Sequence, residues 1–558
     1  MTGAPGGPPT YLQRTAGGAR IGLNRLVVAP GGRTLYGQPT QFLRERTRYR
    51  LVVSERITGR GARTTFTTMS ATLGLQRMRA QLDSGAAYRA AGITSAQQGI
   101  SFMAANGMRT VFPAATTLTI NRQDDVGRAG LRDSLVLNLA LPVLGAGSYA
   151  FGSFLSPSWL DANRTIPAVA SRRGQPKVRG AERVGLAMIV PSGPKPAGGF
   201  PVAIFGPGIS RSKFDVFLAA DLNAQRGIAT VAIDPAGHGF GARSTVRVLR
   251  VGTPATFGVF GRGRDLDGDG VISDQEGVQA PVQPNRLASI ALRDGLRQTA
   301  LDDMALVRAV GRGVDVDGDG TVDLRRDGVV LYAQSLGGIY GTMLMGVDPR
   351  VRTAVLNVSG GPIQDIARLS PGFRPRAAAE LRNRRPSVAN GGVDGFTESL
   401  PLYGEPPVTA PAPGAPAIQE VSARVNWIDR SGSPEAFAPL LRARPLRGAG
   451  AKNVLYQVAY GDRTVPNPTA FTLLHAGDLF DRATVYRNDR TLTASSDPHG
   501  FLLDPRLEGR GLGQRQELEF LASNGSSIID PDGAANVFEV PVPDPRELQS
   551  LNYARGGG

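Results

Sequence analysis

Short, almost wholly apolar runs recur through the last two-thirds of the chain, at residues 184–190, 200–205, 227–234, 328–334, 351–358 and 453–460. Each has strand length and is followed by glycine, proline or a polar break, the pattern of strands buried on both faces. Segments able to form helices separate them, and strand, helix, strand in succession is what a parallel sheet requires. The front of the chain reads differently. Residues 1 to about 40 are rich in Gly, Pro and Arg and are expected to be loosely ordered. Residues 49–54 predict a strand, Leu75, Met78 and Leu82 share the face of an amphipathic helix over 75–88, and 135–141 is a further apolar run. With 558 residues, two or more domains are expected. The predicted division is an N-terminal accessory region at 1–175, partly β-rich, and an α/β domain at 176–558.

Candidate chemistry begins where the run at 328–334 ends, in Ala333-Gln334-Ser335-Leu336-Gly337. A serine hydroxyl is a weak nucleophile unless the backbone presents it beside a base. A sharp strand-to-helix elbow does this, and it needs small residues two before and two after the serine. Ala333 stands where the first glycine is usual. The competing reading is an ordinary turn.

A serine nucleophile calls for a histidine, and the chain has only three. In the order serine, acid, histidine, His238 comes too early. His475 lies in a helix-like stretch and reads as structural. His499, in Asp497-Pro498-His499-Gly500, lies on a loop and is the candidate base. The run at 453–460 leads into Gly461-Asp462, which puts Asp462 on a loop where a carboxylate can orient an imidazole. Asp365 is the alternative acid. Asp497, two residues from His499, is a poor geometric partner for the ring. After the run at 200–205, Gly206-Pro207-Gly208-Ile209 suits an oxyanion loop, with the Ile209 and Leu336 N–H groups as donors. Pro207 occupies a position that is often histidine.

Two aspartate-rich loops stand outside this constellation. Asp265-Leu266-Asp267-Gly268-Asp269-Gly270-Val271-Ile272-Ser273-Asp274-Gln275-Glu276 fits a calcium loop at every ligand position, through Asp265, Asp267, Asp269, the Val271 carbonyl, Ser273 and Glu276. No clear helix flanks it. The second, from Asp315 through Asp317, Asp319 and Thr321 to Asp323, has Arg326 where the final glutamate belongs. Structural Ca2+ is the expected cofactor at both. The absence of cysteine and of paired histidines argues against zinc.

Composition narrows the rest. The net charge is +16, but the basic residues are nearly all Arg and are scattered, with aromatics at 6% and not interleaved with them. That argues against nucleic acid and leaves open attraction to anionic surfaces. No run is long enough to span a membrane. Residues 1–9 lack the apolar core of a secretory signal. Either the protein is cytoplasmic or a leader is missing from this chain, and the calcium loops favour the second, an extracellular or cell-surface address.

Taken together, Pro201 to Lys213, Asp265 to Glu276, Arg293 to Thr299, Asp315 to Asp323, Gln334 to Gly338 and Gly461 to Pro466 resemble bacterial extracellular lipases and esterases of the alpha/beta-hydrolase superfamily, the virulence-factor lipase type. The resemblance implies an alpha/beta-hydrolase fold, a mostly parallel sheet flanked by helices. It implies carboxylester hydrolysis of an ester or lipid substrate by Ser335, Asp462 and His499. The calcium loop would be an insertion at 250–290, and 362–450 would be a cap, being far longer than an ordinary connection. The rival readings are a peptidase or amidase with the same triad, and a catalytically inactive, calcium-dependent surface-binding protein.

Overall fold

The computed structural model describes residues 10–127, 132–137, 143–170, 173–249, 254–266, 268–272, 288–392 and 395–555. Its centre is a ten-stranded sheet. In chain order the strands are β1 (Val111–Pro113), β2 (Ala146–Ser158), β3 (Gly180–Pro191), β4 (Val202–Gly206), β5 (Ala229–Ile233), β6 (Val330–Gln334), β7 (Thr353–Asn357), β8 (Asn453–Ala459), β9 (Ala483–Tyr486) and β10 (Phe538–Glu539). Across the sheet they run β10-β9-β8-β7-β6-β4-β5-β3-β2-β1. Strands β4 to β9 are mutually parallel, while β3 is antiparallel to both β5 and β2. This order, with β4 crossed between β5 and β6 and an antiparallel strand, β3, next beyond β5, is that of the α/β-hydrolase fold.

The apolar runs are continuous because both faces of the sheet are covered. Ile204, Leu331, Ala333, Leu356 and Tyr456 face one core with the helices α1 (Leu73–Asp83), α2 (Ala288–Val310), α3 (Leu336–Val347) and α4 (Asn467–Gly477). Phe205, Tyr332, Val355 and Leu455 face the other, with α5 (Gly509–Ala522). Among the described residues no helix is long and apolar enough to cross a membrane.

The front of the chain departs from expectation in three ways. A boundary at 175 does not divide the molecule, because β2 pairs with β3 from Ser158↔Gly180 to Ala146↔Pro191. Helix α1 buries Leu75, Met78 and Leu82 in the same core as Leu301 and Met304 of α2. It stops at Ser84, and Gly85 takes φ 70°, so the predicted helix over 75–88 is broken there. Finally, residues 10–39, expected to be loose, contain the strands Thr10–Arg14, Leu23–Val28 and Leu35–Pro39. Long-range partners hold them: Arg25 pairs with Asp365, and Val28 N–H donates to the Val408 carbonyl. Composition carries no trace of such contacts. Part of 135–141 falls in the strand Arg132–Leu137, and the rest lies outside the described residues.

Candidate active site

Ser335 stands between β6 and α3 with φ 58° and ψ −118°. This backbone conformation is costly for a residue with a Cβ and persists only where the surroundings impose it. Close packing of strand and helix supplies that constraint. A Cβ at Gly337 would overlap the Gly206 carbonyl oxygen, and one at Gly206 would lie 2.8 Å from the Ala333 methyl. Glycine at 206 therefore makes the room that alanine at 333 takes up. Ser335 N–H is fixed to the Asn357 carbonyl at 2.9 Å.

Loops after β8 and β9 bring the other two groups to this point. His499 Nε2 lies 2.8 Å from Ser335 Oγ, and its Nδ1 lies 2.8 Å from Asp462 Oδ2. The other carboxylate oxygen of Asp462 accepts from Thr464 N–H at 2.9 Å and Val465 N–H at 2.7 Å. With Asp462 accepting at Nδ1, that nitrogen carries the proton and Nε2 is free to accept from the serine. Burial disfavours the charged imidazole, but the Asp462 carboxylate more than offsets it, and the His499 pKa lies above its ordinary value. The rival groups are engaged elsewhere. Burial holds His238 neutral, near a pKa of about 4. His475 stacks on Phe471 beside Tyr403. Asp365 is locked between Arg25 and Arg368, which overcome its burial and hold it at about 2.

The loop after β4 passes beside the serine, where a Cβ at Gly208 would lie 3.4 Å from Ser335 Cβ. Tyr340 hydroxyl donates to the Pro207 carbonyl at 3.2 Å, so a side chain of α3 steadies this loop. Further along, Lys213 N–H donates to Asp234 Oδ1 at 2.8 Å while its ammonium pairs with Oδ2, both side chains being wholly buried. Leu336 is the first residue of α3, where N–H groups have no intrahelical acceptor.

A cavity of about 470 Å³ opens on Ser335 and His499, walled by Ile209, Leu218, Leu503 and Pro505 with Arg211 and Arg506 at its edge. That volume is within the range of small-molecule sites. No described residue of 362–450 lines it. The expected cap instead meets the N-terminal strands, around a separate cavity of about 560 Å³ lined by Phe42, Phe66, Tyr403, Trp427 and Phe471. Its length and position marked it as an insertion without indicating which way it folds.

In the second aspartate loop, carboxylate oxygens of Asp315, Asp317 and Asp323 lie within 4.8 Å of one another. Asp315 accepts from Gly318 and Gly320 N–H groups, Asp319 from Thr321, and Asp323 also receives the Lys195 ammonium at 2.6 Å. In the first loop Asp265 accepts in the same way from Gly268 and Gly270, and Asp269 from Val271. Asp267, Ser273 and Glu276 lie outside the described residues.

No protein-family model matches the chain, and no curated protein matches it. Among solved structures it is similar to an acylaminoacyl peptidase of Pyrococcus horikoshii, at 10% identity and TM-score 0.36, over 66% of this chain and 42% of that one. It is also similar to acetyl xylan esterases of Thermoanaerobacterium sp., at 17% identity and TM-score 0.30 over 72% and 88% of the two chains, and of Paenibacillus sp., at 16% and 0.29 over 59% and 74%. The chain thus spans less than half of the peptidase. At these values the likeness adds nothing to the strand order, which defines the α/β-hydrolase fold by itself.

Proposed function

We propose that this protein is a serine hydrolase that cleaves carboxylic esters through an acyl-enzyme. One observation carries the reading: a strained serine, an imidazole and a buried carboxylate joined by two contacts of 2.8 Å. As Ser335 Oγ bonds to the ester carbonyl carbon, its proton passes to His499 Nε2. The Ile209 and Leu336 N–H groups receive the oxyanion. Collapse of the adduct breaks the bond to the alkoxy oxygen, which takes the proton back from Nε2. Water then enters by the same route: Nε2 removes its proton, the hydroxyl bonds to the acyl carbon, and the acid leaves as Ser335 regains its hydrogen. Asp462 holds the ring in the required tautomer throughout.

The resemblance to extracellular lipases favours an ester over an amide, and the apolar wall of the 470 Å³ cavity suits a modest acyl or alkoxy group. Ca2+ belongs to the same proposal as a structural ion, held by the all-oxygen set of Asp315, Asp317, Asp319, Thr321 and Asp323, and by the loop that begins at Asp265. In the second loop it would compete with Lys195 for Asp323. Secretion fits such sites. The test is Ser335→Ala with short p-nitrophenyl esters and a fluorophosphonate probe. We expect at least about a thousandfold loss in kcat and no labelling. Wild-type turnover in the variant, or an unlabelled wild type, overturns the assignment.

A further inference from the structure

Five Asp-Pro turns of the chain are of one kind, at Asp348-Pro349-Arg350, Asp497-Pro498-His499, Asp504-Pro505-Arg506, Asp530-Pro531-Asp532 and Asp544-Pro545-Arg546. In each, the aspartate Oδ1 accepts from the N–H two residues on, at 2.9, 3.1, 3.0, 3.4 and 2.9 Å. At 504 and 544 the remaining capacity goes to the turn's own arginine. Asp497 differs. Its Oδ1 also accepts from Arg463 N–H at 3.1 Å, and its Oδ2 accepts from the Thr464 hydroxyl at 2.7 Å. Arg463 and Thr464 follow Asp462 directly, so one carboxylate ties the loop that carries the acid to the loop that carries the base. Its charge also stands beside the imidazole and helps keep the His499 pKa above its ordinary value.

Resting on the serine-hydrolase reading, we propose that Asp497 is a positioning residue of this site: it sets the register of the Asp462 and His499 loops, and its negative charge supports the imidazolium formed during turnover. The two carboxylates that face the ring are Asp462 and Asp497. The other charged groups at this cavity are already paired, Arg211 with Asp215 and Arg506 with Asp504. Two effects are therefore separable. Asparagine at 497 can keep all three contacts, since its oxygen accepts from the two N–H groups and its amide can donate to the Thr464 hydroxyl. Alanine removes tie and charge together.

The experiment is the pH profile of kcat and KM for wild type, Asp497→Asn, Asp497→Ala and Thr464→Val, with Asp544→Ala as the control for an ordinary Asp-Pro turn. Asp497→Asn is expected to move the acid limb of kcat/KM down by about half a pH unit, with kcat at the plateau within about threefold of wild type. Asp497→Ala is expected to lower kcat by about ten- to a hundredfold with KM within about twofold. Thr464→Val, which severs the tie from the other loop and keeps the charge, should lower kcat without moving the limb. Asp544→Ala should change nothing. An unmoved limb in Asp497→Asn, or undiminished kcat in Thr464→Val, overturns the proposal. If the wild type is inactive towards esters and unlabelled by fluorophosphonate, the underlying reading fails first, and the two failures are distinct.

Discussion

Replacing Lys213 by methionine tests how the proposed oxyanion loop is held. The side chains of Lys213 and Asp234 are both 0% exposed and pair with each other, and Lys213 N–H donates to the same carboxylate. Methionine keeps the apolar stem and the N–H and removes only the ammonium. Breaking a fully buried pair from one side costs about 3–5 kcal/mol, because the remaining charge stays desolvated. A second route gives a similar figure. The stranded carboxylate can shed its charge by taking up a proton, which for an ordinary aspartyl side chain costs about 4 kcal/mol at pH 7 and about 1.5 kcal/mol at pH 5. The stability gap between wild type and Lys213→Met should therefore narrow by about 2.5 kcal/mol as pH falls from 7 to 5. The sign follows because the penalty exists only where the carboxylate would otherwise be charged. Urea unfolding followed by tryptophan fluorescence at the two pH values measures the gap. The double variant Lys213→Met with Asp234→Asn should recover much of the loss at pH 7, since no charge is then left buried. A gap that ignores pH, or a double variant worse than the single one, would refute the reasoning. kcat should fall alongside, since Lys213 anchors the end of the loop that presents Ile209.

Two other outcomes follow from the site. kcat/KM should decline as pH falls through the raised His499 value, above the ordinary 6.5, because the protonated ring cannot accept from Ser335; Asp462→Asn should move that limb down and cost about 10⁴-fold in kcat, and a limb that stays in place would separate it from His499. Calcium should raise the thermal midpoint of the wild type more than that of Asp315→Asn with Asp317→Asn, which keeps the first loop; equal rises in the two, or no rise in the wild type up to roughly 10 mM, would remove the second loop as a cation site.

The parts of the site legible in the sequence were those whose chemistry is local. A serine at the junction of an apolar run and a helix needs small neighbours, and Ala333 and Gly337 are adjacent to it in the chain. With three histidines, order and local context were enough to isolate His499. Contacts made across the fold left less trace. Strand β2 is rich in glycine and serine (Gly147, Ser148, Gly152, Ser153), and its apolar alternation is diluted enough that the front of the chain read as separate. Asp497 was weighed only as a partner for the ring, and its contacts are to backbone and hydroxyl groups of a loop more than thirty residues away. Its signal was available in part, since the same dipeptide recurs at 234, 348, 504, 530 and 544, but a repeated turn does not disclose which copy ties the two loops of the site.

The same contrast bears on how substrate choice should be understood. A long excursion between β7 and β8 suggests a lid over the serine, and the inference from length alone is reasonable. Yet the cavity beside Ser335 is walled by segments 208–218 and 499–506, which are the proposed oxyanion loop and the loop of His499 themselves. The excursion is spoken for: Asp365, Arg368 and Glu398 form a buried ionic chain that takes in Arg25, and Val408 pairs with the strand Leu23–Val28. Removing one member of such a chain leaves a desolvated charge, so these contacts resist being broken and remade in each catalytic cycle. On the proposed ester-hydrolase reading, selectivity for the acyl or alkoxy group rests on Leu218, Leu503 and Pro505, side chains carried by the elements that also position the proposed catalytic groups. In this arrangement substrate fit and catalytic geometry are coupled, because reshaping the wall at 503 or 505 also disturbs the loop that aims His499.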